Sequence, residues 1–221
     1  MGVPAVLAIG HPILPSTMFI ELTDALRCTA PHPESFLVLL PGVMEGRQVV
    51  SGELGCPVCG RVVTILNGVA DFGGGVPTDG RTALSAEAVA AFLGISGPGG
   101  YVALVGGVTS LAEALAGLLP DVGLALINPR LDVSPGSAAG ILRAGRLPLR
   151  AGSLRGIVLG ADLPGDGEWV RDAAGAVLPG LRVVGEGGDV AEAVELLAQS
   201  PVCWVGRIAR RGSRSSEDAL S

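Results

Sequence analysis

The segment that most constrains the fold is Cys56-Pro57-Val58-Cys59-Gly60, in which two residues separate a pair of cysteines. A strand-like run precedes it and RVVTI (61–65) follows it, a pattern typical of a metal-binding turn. Such a turn directs both thiolates to one point, and Gly60 supplies the permissive backbone that the turn needs. A tetrahedral site requires two more ligands, for which the RCTAPH segment offers a cysteine and a histidine. The sequence therefore predicts one structural zinc ion bound by Cys28, His32, Cys56 and Cys59.

The same cysteines have other uses that the residues alone leave open: a disulfide, a redox-active pair or unused thiols. The chain has four cysteines, and Cys203 lies far away in an apolar run, which disfavours a disulfide framework. The CPVC motif also does not open a helix after a strand, as a thioredoxin-type motif would. Zinc remains the favoured interpretation.

Length and hydropathy exclude some classes of protein. The chain has 221 residues, is 48% hydrophobic and has a mean hydropathy of +0.55. No apolar run reaches the ~18–20 residues of a membrane span. The first segment, MGVPAVLAIGHPILP, is apolar but has no basic region and is interrupted by prolines, so it does not resemble a signal peptide. We expect a flexible leader over residues 1–18, no membrane association and a cytoplasmic location.

Charge and aromatic content bear on the partners. The net charge is −6, the pI is about 4.9, and all fifteen basic residues are Arg. An acidic chain makes a poor non-specific nucleic-acid binder, and 3% aromatic residues provide little surface for base stacking. The composition is typical of a high-GC, bacterial genome. We therefore expect a protein partner or a homodimer, and nucleic acid only through the zinc-binding segment.

The chain divides by pattern into a small and a larger folding unit. FLVLL (36–40) and RQVVSGEL (47–54) predict strands joined by a turn at Pro41-Gly42, and RVVTI adds a third. This β-rich unit, residues 19–75, is too small to bury a convincing core alone, so bound metal would supply part of its stability. GGGVPTDG (73–80) has the composition of a linker, and residues 76–97 predict a linker and a helix that Ser85 caps.

The larger unit, residues 98–210, alternates continuously apolar strands with helices, which indicates a parallel sheet covered on both faces. The helices include GGVTSLAEALAGLL, with a capping box at Ser110 and Glu113, and DVAEAVELLAQ, with one at Asp189 and Glu192. Residues 211–221 predict a flexible tail. The predicted fold class is α/β, a Rossmann-like parallel sheet preceded by a small β-rich ribbon.

Two resemblances follow from these segments. Over about residues 19–72, DALRC, SGELGCPVCG and LNGVADF resemble the small zinc-ribbon family whose members activate tRNA, rRNA and release-factor methyltransferases. That family has a CPxC pair followed by a Gly-containing tail ending in Asp-Phe, matched by residues 67–72. Its fourth ligand is usually Cys, whereas His32 stands here.

Over about residues 98–208 the chain resembles class I S-adenosylmethionine-dependent methyltransferases, in GYVALVGGVTSLAEAL, RLPLRAGSLRGIVL and AAGAVLPGLRVVGEG. Bacterial rRNA guanine methyltransferases likewise join an N-terminal zinc site to this fold. The resemblance implies a cofactor site with Gly106 and Gly107 in its first loop and Asn128 at the ribose position.

The acidic residues of that cofactor site are absent. The resemblance implies carboxylates in the first strand, after the second and after the third, where Leu104, Asn128 (or Ile127) and Gly145 stand, and Arg155 replaces a further Asp. A hydrogen bond to a charged group contributes about 1.5–3 kcal/mol. Losing two or three of them would move a micromolar ligand, at about −8 kcal/mol, toward millimolar affinity.

Other residues offer no replacement chemistry. Asp162, Asp166 and Glu168 follow the fourth strand of the larger unit, where α/β folds place their sites, but the pattern favours a solvated start of a helix. The sequence thus predicts a zinc-binding, methyltransferase-like protein that has lost catalysis and acts as a protein-binding or scaffold module. It predicts no useful affinity for S-adenosylmethionine. The alternatives are an active methyltransferase of RNA or a small molecule with an atypical cofactor site, and an RNA-associated ribbon protein.

Overall fold

The computed structural model describes residues 17–133, 138–163, 167–187, 190, 192 and 194–209. The predicted tail and residues 1–16 of the predicted leader lie outside this part of the chain. The first elements are β1 (Met18–Phe19), α1 (Ile20–Thr23), β2 (Val38–Glu45), β3 (Gln48–Gly55), β4 (Val62–Leu66), β5 (Val69–Asp71) and α2 (Ala86–Leu93). They are followed by β6 (Tyr101–Val105), a 3-10 helix (Gly106–Leu111), α3 (Ala112–Leu118), β7 (Gly123–Ile127), β8 (Gly140–Arg143) and β9 (Leu154–Leu159). The last elements are α4 (Glu168–Ala176), β10 (Val177–Glu186), β11 (Val194–Gln199) and β12 (Cys203–Ile208).

The strands form one sheet in the order β1-β3-β4-β5-β8-β7-β6-β9-β10-β12-β11, with β2 paired to β3. The pairs from β5 through β8, β7, β6 and β9 to β10 are parallel, and β12 is antiparallel to both its neighbours. From β6 the chain runs outward to β8 and then returns to β9 on the other side. This order is that of a doubly wound α/β fold, whose switch point lies between β6 and β9. The predicted α/β class, with a parallel sheet after a β-rich ribbon, is confirmed.

Apolar residues cover both faces of the parallel strands, as the continuously apolar runs predict. On one face Leu104 packs with residues of α2 and α3. On the other, Val105 packs in a cluster that includes Trp169 of α4 and also Leu54 and Ile65 of the ribbon strands. The ribbon therefore shares a core with the parallel sheet, and the parallel pairing of β5 with β8 joins their hydrogen bonding. Met18, at the end of the predicted leader, is buried in this shared core.

The hairpin β2–β3 turns later than predicted. The strand continues through Pro41-Gly42, where the register shifts, and the reversal falls after Glu45, at Gly46, whose φ is 60°. A bulge accommodates Gly42 because two residues of β2 there oppose one of β3. The predicted turn was wrong, since a Pro-Gly pair is also compatible with a bulged edge strand.

Two predictions about helices were also wrong. DVAEAVELLAQ contains β11 rather than a helix, because Val194–Gln199 pairs antiparallel with β12 and pairing overrides the helical propensity of the segment. Its predicted capping residue Asp189 lies outside the described residues. The Ser110 hydroxyl donates to the Gly107 carbonyl at 2.9 Å instead of capping, and the helix begins with a 3-10 segment. Ser85, in contrast, caps α2 by accepting from the Ala88 amide.

The described helices include none that is both long and apolar enough to cross a membrane.

Candidate functional site

Two segments bring the four predicted metal ligands together. Cys56 and Cys59 lie in the turn between β3 and β4, where the Cys56 amide donates to the Arg61 carbonyl and the Gly60 amide to the Cys56 carbonyl. Gly60 has a φ of 72°, as the sequence predicts for this turn. Cys28 follows α1 and is fixed by a backbone bond to the Ser35 carbonyl. The ribbon core thus holds both halves of the cluster in place.

The ligand atoms of Cys28, His32, Cys56 and Cys59 all lie within 4.8 Å of one another. The Sγ atoms of Cys28 and Cys59 are 3.7 Å apart, and His32 Nε2 is 3.5 Å from Cys56 Sγ. Zinc bound to sulfur at about 2.3 Å in a tetrahedron separates two sulfurs by roughly 3.8 Å. The distances therefore fit a tetrahedral Cys3His centre, and the sulfurs of Cys28 and Cys59 are not bonded to each other.

The histidine is oriented as a ligand. His32 Nδ1 lies 2.7 Å from the Pro33 carbonyl, which can only accept a hydrogen bond, so Nδ1 carries the proton. The lone pair of Nε2 is then free and directed to the cysteines. An outer hydrogen bond of this kind fixes the tautomer of metal-binding histidines.

The thiols differ in acidity. Burial raises the pKa of Cys28 to about 11, helped by the neighbouring thiols. Burial also opposes ionisation of Cys56, but hydrogen bonds from the backbone amides of Cys59 and Val58 and from the neighbouring thiols outweigh it and lower its pKa to about 6. One thiolate is thus already favoured at neutral pH, and a bound dication would favour the others because thiolates are the form that ligates zinc. The donor set and its surroundings suit zinc.

The second predicted site lies at the carboxyl edge of the parallel strands. Gly106 and Gly107 follow β6 directly, and Gly106 has a φ of 75°. The Gly107 amide, which the resemblance assigns to a cofactor loop, donates instead to the Asp162 carboxylate at 3.0 Å. A Cβ on Gly107 would lie 2.9 Å from the carbonyl of Gly80. The glycine loop is therefore occupied by contacts with Asp162 and Gly80.

Asn128, at the predicted ribose position after β7, is buried and has a φ of 51°. Its Nδ2 donates to the Ala144 carbonyl at 2.8 Å, and its Oδ1 accepts from the Ala144 amide at 2.9 Å. Both halves of the side-chain amide are thus used to join the ends of β7 and β8. A Cβ on Gly75 would lie 2.5 Å from Asn128 Oδ1 and 2.2 Å from the Ala144 nitrogen, so the backbone of Gly75 rests on this pair.

Gly75 belongs to residues 73–83, which we call the crossing segment because they run along the carboxyl edge from β8 toward β10. At one end the Gly73 carbonyl accepts from the Gly145 amide at 3.0 Å. In the middle the guanidinium of Arg130 donates to the carbonyls of residues 79 and 80. At the other end the carboxylate of Glu186 accepts from the Thr82 hydroxyl and the Ala83 amide, both at 2.8 Å.

A cavity of about 330 Å³ remains between the crossing segment and the edge of the sheet. Val76 and Pro77 form one wall, and Asn128, Asp162 and Trp169 contribute to the other. Small-molecule sites commonly enclose about 300–1,000 Å³, so this space is at the lower limit.

The other positions implied by the resemblance have structural roles. Leu104 is fully buried in the core, and the amide of Gly145 binds the crossing segment. The Arg155 guanidinium donates to the carbonyls of residues 96–99 and holds the loop before β6. None of these residues supplies a carboxylate to the edge.

Sequence reasoning missed three parts of this edge: Gly75, Asp162 and Glu186. The run of Gly73, Gly74 and Gly75 was interpreted as a linker, although a glycine run also permits close approach of two backbones. Asp162 was interpreted as a solvated residue, and it is exposed, yet its carboxylate binds the glycine loop. Glu186 is buried at the end of β10, and its Oε2 has no hydrogen-bond partner among the described residues.

Comparisons with known proteins give distant likenesses only. No protein-family model and no curated protein matches the chain. Among solved structures it is similar to the antibiotic-resistance methyltransferase Kmr, at 13% identity and a TM-score of 0.38, over 62% of this chain and 98% of Kmr. It is also similar to Atu636, a predicted O-methyltransferase of Agrobacterium tumefaciens, at 15% identity and a TM-score of 0.39, over 58% of this chain and 82% of that one. At these values neither likeness indicates what this chain binds or does.

Proposed function

We propose that the chain is a zinc-binding, methyltransferase-like protein that has lost catalysis and acts as a protein-binding or scaffold module. The observation that carries the loss of catalysis is the crossing segment. Its Gly75 rests on Asn128, and Gly80 rests on Gly107, where the resemblance implies that a cofactor would lie. A ligand there must displace these backbone contacts, and it meets an edge whose orienting carboxylates are missing.

Asn128 supports the same proposal through its hydrogen bonds. An amide at the ribose position could bind one hydroxyl, but here both of its polar atoms are paired with Ala144. Freeing them inside the protein leaves buried partners unsatisfied, which costs about 1–3 kcal/mol. This cost adds to the contacts already lost with the carboxylates.

The metal part of the proposal assigns zinc to Cys28, His32, Cys56 and Cys59 in a structural role. All four positions are taken by protein ligands, which leaves no open position of the kind that catalytic zinc needs. None of the four cysteines is paired in a disulfide, and we place the protein in the cytoplasm, where cysteines stay reduced.

Calorimetric titration with S-adenosylmethionine tests the loss of the cofactor site. We expect no heat of binding at micromolar cofactor, and no methyl transfer. The matched variant is Asn128→Ala. A one-to-one isotherm for the natural chain that Asn128→Ala weakens would refute the proposal.

The second candidate function, an active methyltransferase with an atypical cofactor site, is favoured by the cavity of about 330 Å³ beside Asn128 and Trp169. Its size allows a small ligand, and Asp162 places a carboxylate at its wall. The same titration separates the two candidates, because only the active enzyme binds the cofactor.

A further inference from the structure

The sheet has a face that is covered over the parallel strands and uncovered over the ribbon. On this face Val69 of β5 packs with the cluster beneath α2 and α3. Its pairing partner on β4, Leu66, is 63% exposed. The same face continues across β4, β3 and β2. No helix among the described residues packs there. We call this uncovered surface the outer face of the ribbon.

The outer face is largely apolar. Cross-strand pairing places its residues in three rows: Val38–Gly55–Val62, Leu40–Glu53–Thr64 and Val43–Ser51–Leu66. Phe36, just before β2, also belongs to this face, because it is exposed while its neighbours Ser35 and Leu37 are buried. Six large apolar side chains on this face are 45–63% exposed: Phe36, Val38, Leu40, Val43, Val62 and Leu66. Glu53 is the one charged residue in the three rows.

This patch is as large as the largest apolar patches that monomers usually leave in water. Half-exposed side chains of this kind present on the order of 100 Å² each, so six present roughly 600 Å², at the top of the range for the largest patch on a monomer. With the polar residues of the rows it approaches the ~800 Å² that each partner buries in a standard interface. We infer that a second copy of this chain covers the outer face, forming a two-fold dimer.

The arrangement of polar residues suits a self-complementary contact. Glu53 and Thr64 are directly opposite in the pairing of β3 with β4. A two-fold axis that runs between β3 and β4, parallel to the strands, sets each Glu53 carboxylate over the Thr64 hydroxyl of the other copy, which can donate a hydrogen bond to it. The two carboxylates are then offset rather than opposed. The one charge on each face is therefore compatible with two copies packed face to face.

Packing of two faces is favoured over pairing of two edges. Among the described strands, β2 pairs with β3 alone and is an edge strand, but Pro41 cannot donate a backbone hydrogen bond and Gly42 forms a bulge. These features hinder addition of another strand. Sheets that pack face to face, about 10 Å apart, need only apolar side chains that interlock.

Light scattering and sedimentation of the full chain, over a wide range of concentration, test the dimer. We expect twice the 22.1 kDa chain mass. Leu40→Arg, 59% exposed on the outer face, should raise the dimer dissociation constant by at least about 100-fold, because each dimer carries the change twice. Leu131→Arg is the matched control: this leucine is 81% exposed, lies outside the outer face and should leave the mass unchanged.

A gentler variant guards against misfolding. Val38→Thr combined with Val62→Thr conserves shape and strand propensity, and should weaken the dimer while circular dichroism stays unchanged. A monomer at every concentration would overturn the dimer, as would a dimer that Leu40→Arg and the threonine pair leave intact. If removal of residues 1–16 converts a monomer into a dimer, those residues cover the face, and the inference fails.

The dimer deepens the scaffold part of the proposed function by naming the partner. Its failure is distinguishable from failure of the proposed loss of catalysis. A monomer that binds no S-adenosylmethionine would overturn the dimer alone, and a dimer that binds the cofactor would overturn the loss of catalysis alone.

Discussion

The ribbon strands β2–β4 and the parallel strands β6–β9 belong to one sheet but are stabilised by different means. The parallel strands have a helix-covered core on each face. The ribbon has a core on one face, shared with the parallel sheet, and an uncovered face on the other. The Cys3His cluster lies where the β3–β4 turn meets the segment between α1 and β2, and its ligands Cys28 and Cys56 are buried in the same core.

This difference indicates how a small β-rich unit can be stabilised beside a larger sheet. Packing on one face alone buries less apolar surface in the ribbon than in the parallel strands, so a metal ion held by the cluster would contribute a larger share of the ribbon's stability. In the parallel sheet, the crossing segment lies over the carboxyl edge, where ligands of such folds bind. The comparison predicts that metal loss affects the ribbon most and that damage to the crossing segment affects the carboxyl edge.

Removal of zinc should have the largest effect. A strong chelator, or Cys56→Ser, should lower the free energy of unfolding by more than about 4 kcal/mol, because metal binding to such a site is folding free energy. Hydrogen exchange should accelerate in β2–β4 far more than in β6, β7 and β9. Elemental analysis should find one zinc per chain before chelation.

Cys203→Ser is the control for that experiment, since Cys203 is a buried thiol outside the cluster. Its stability should remain sensitive to the chelator, whereas that of Cys56→Ser should not. Equal exchange in the ribbon with and without metal would contradict the comparison. If His32→Ala keeps full zinc content, the histidine is not a ligand.

Gly75→Val should have the next largest effect. A Cβ at this position lies 2.2 Å from the Ala144 backbone nitrogen, a distance that forces the crossing segment away from the edge. Overpacking of this severity costs about 3 kcal/mol, and protease should then cut within residues 73–83 more rapidly. Gly117→Ala is the control, because nothing lies within 4 Å of its Cβ, and a helical alanine should be neutral or stabilising. Unchanged proteolysis in Gly75→Val would show that the segment does not depend on this contact.

The sequence predicted the features that local pattern decides. Two cysteines at short spacing, with Cys28 and His32 upstream, identified four side chains that the structure brings together, because metal ligands must be Cys, His or acidic residues and this chain offers few. Strand positions such as 101–105 followed from continuous apolar runs, since only a sheet buried on both faces requires them.

The predictions that were wrong concern segments whose structure depends on contacts with distant parts of the chain. The β11 segment contains good helix formers, and only its pairing with β12 makes it a strand. The crossing segment contains glycines that predict a turn or linker equally well. Its contact with Asn128 joins residues more than fifty positions apart, and no local pattern records such a contact. The domain boundaries at residues 75 and 98 stay a prediction, although the two units share one core.

Of the three changes considered, Asn128→Asp should have the smallest effect on stability. It tests whether the carboxyl edge keeps the architecture of a cofactor site or whether its residues now serve only the protein's own structure. The change restores the carboxylate that the resemblance implies, but it removes the donor to the Ala144 carbonyl and places an acceptor against it. We expect a loss of about 2 kcal/mol in the free energy of unfolding, measured by denaturant titration, and no binding of S-adenosylmethionine. Asn67→Asp is a close control, because Asn67 also has a left-handed backbone, with a φ of 49°, but is exposed in the turn after β4. That control should change stability by less than about 0.5 kcal/mol.

If Asn128→Asp is as stable as the control and binds the cofactor, the crossing segment is a removable cover over a site that retains its architecture. If Asn128→Asp is destabilised and does not bind the cofactor, Asn128 has a structural role. Its hydrogen bonds to Ala144 then stabilise the edge and do not serve a ligand.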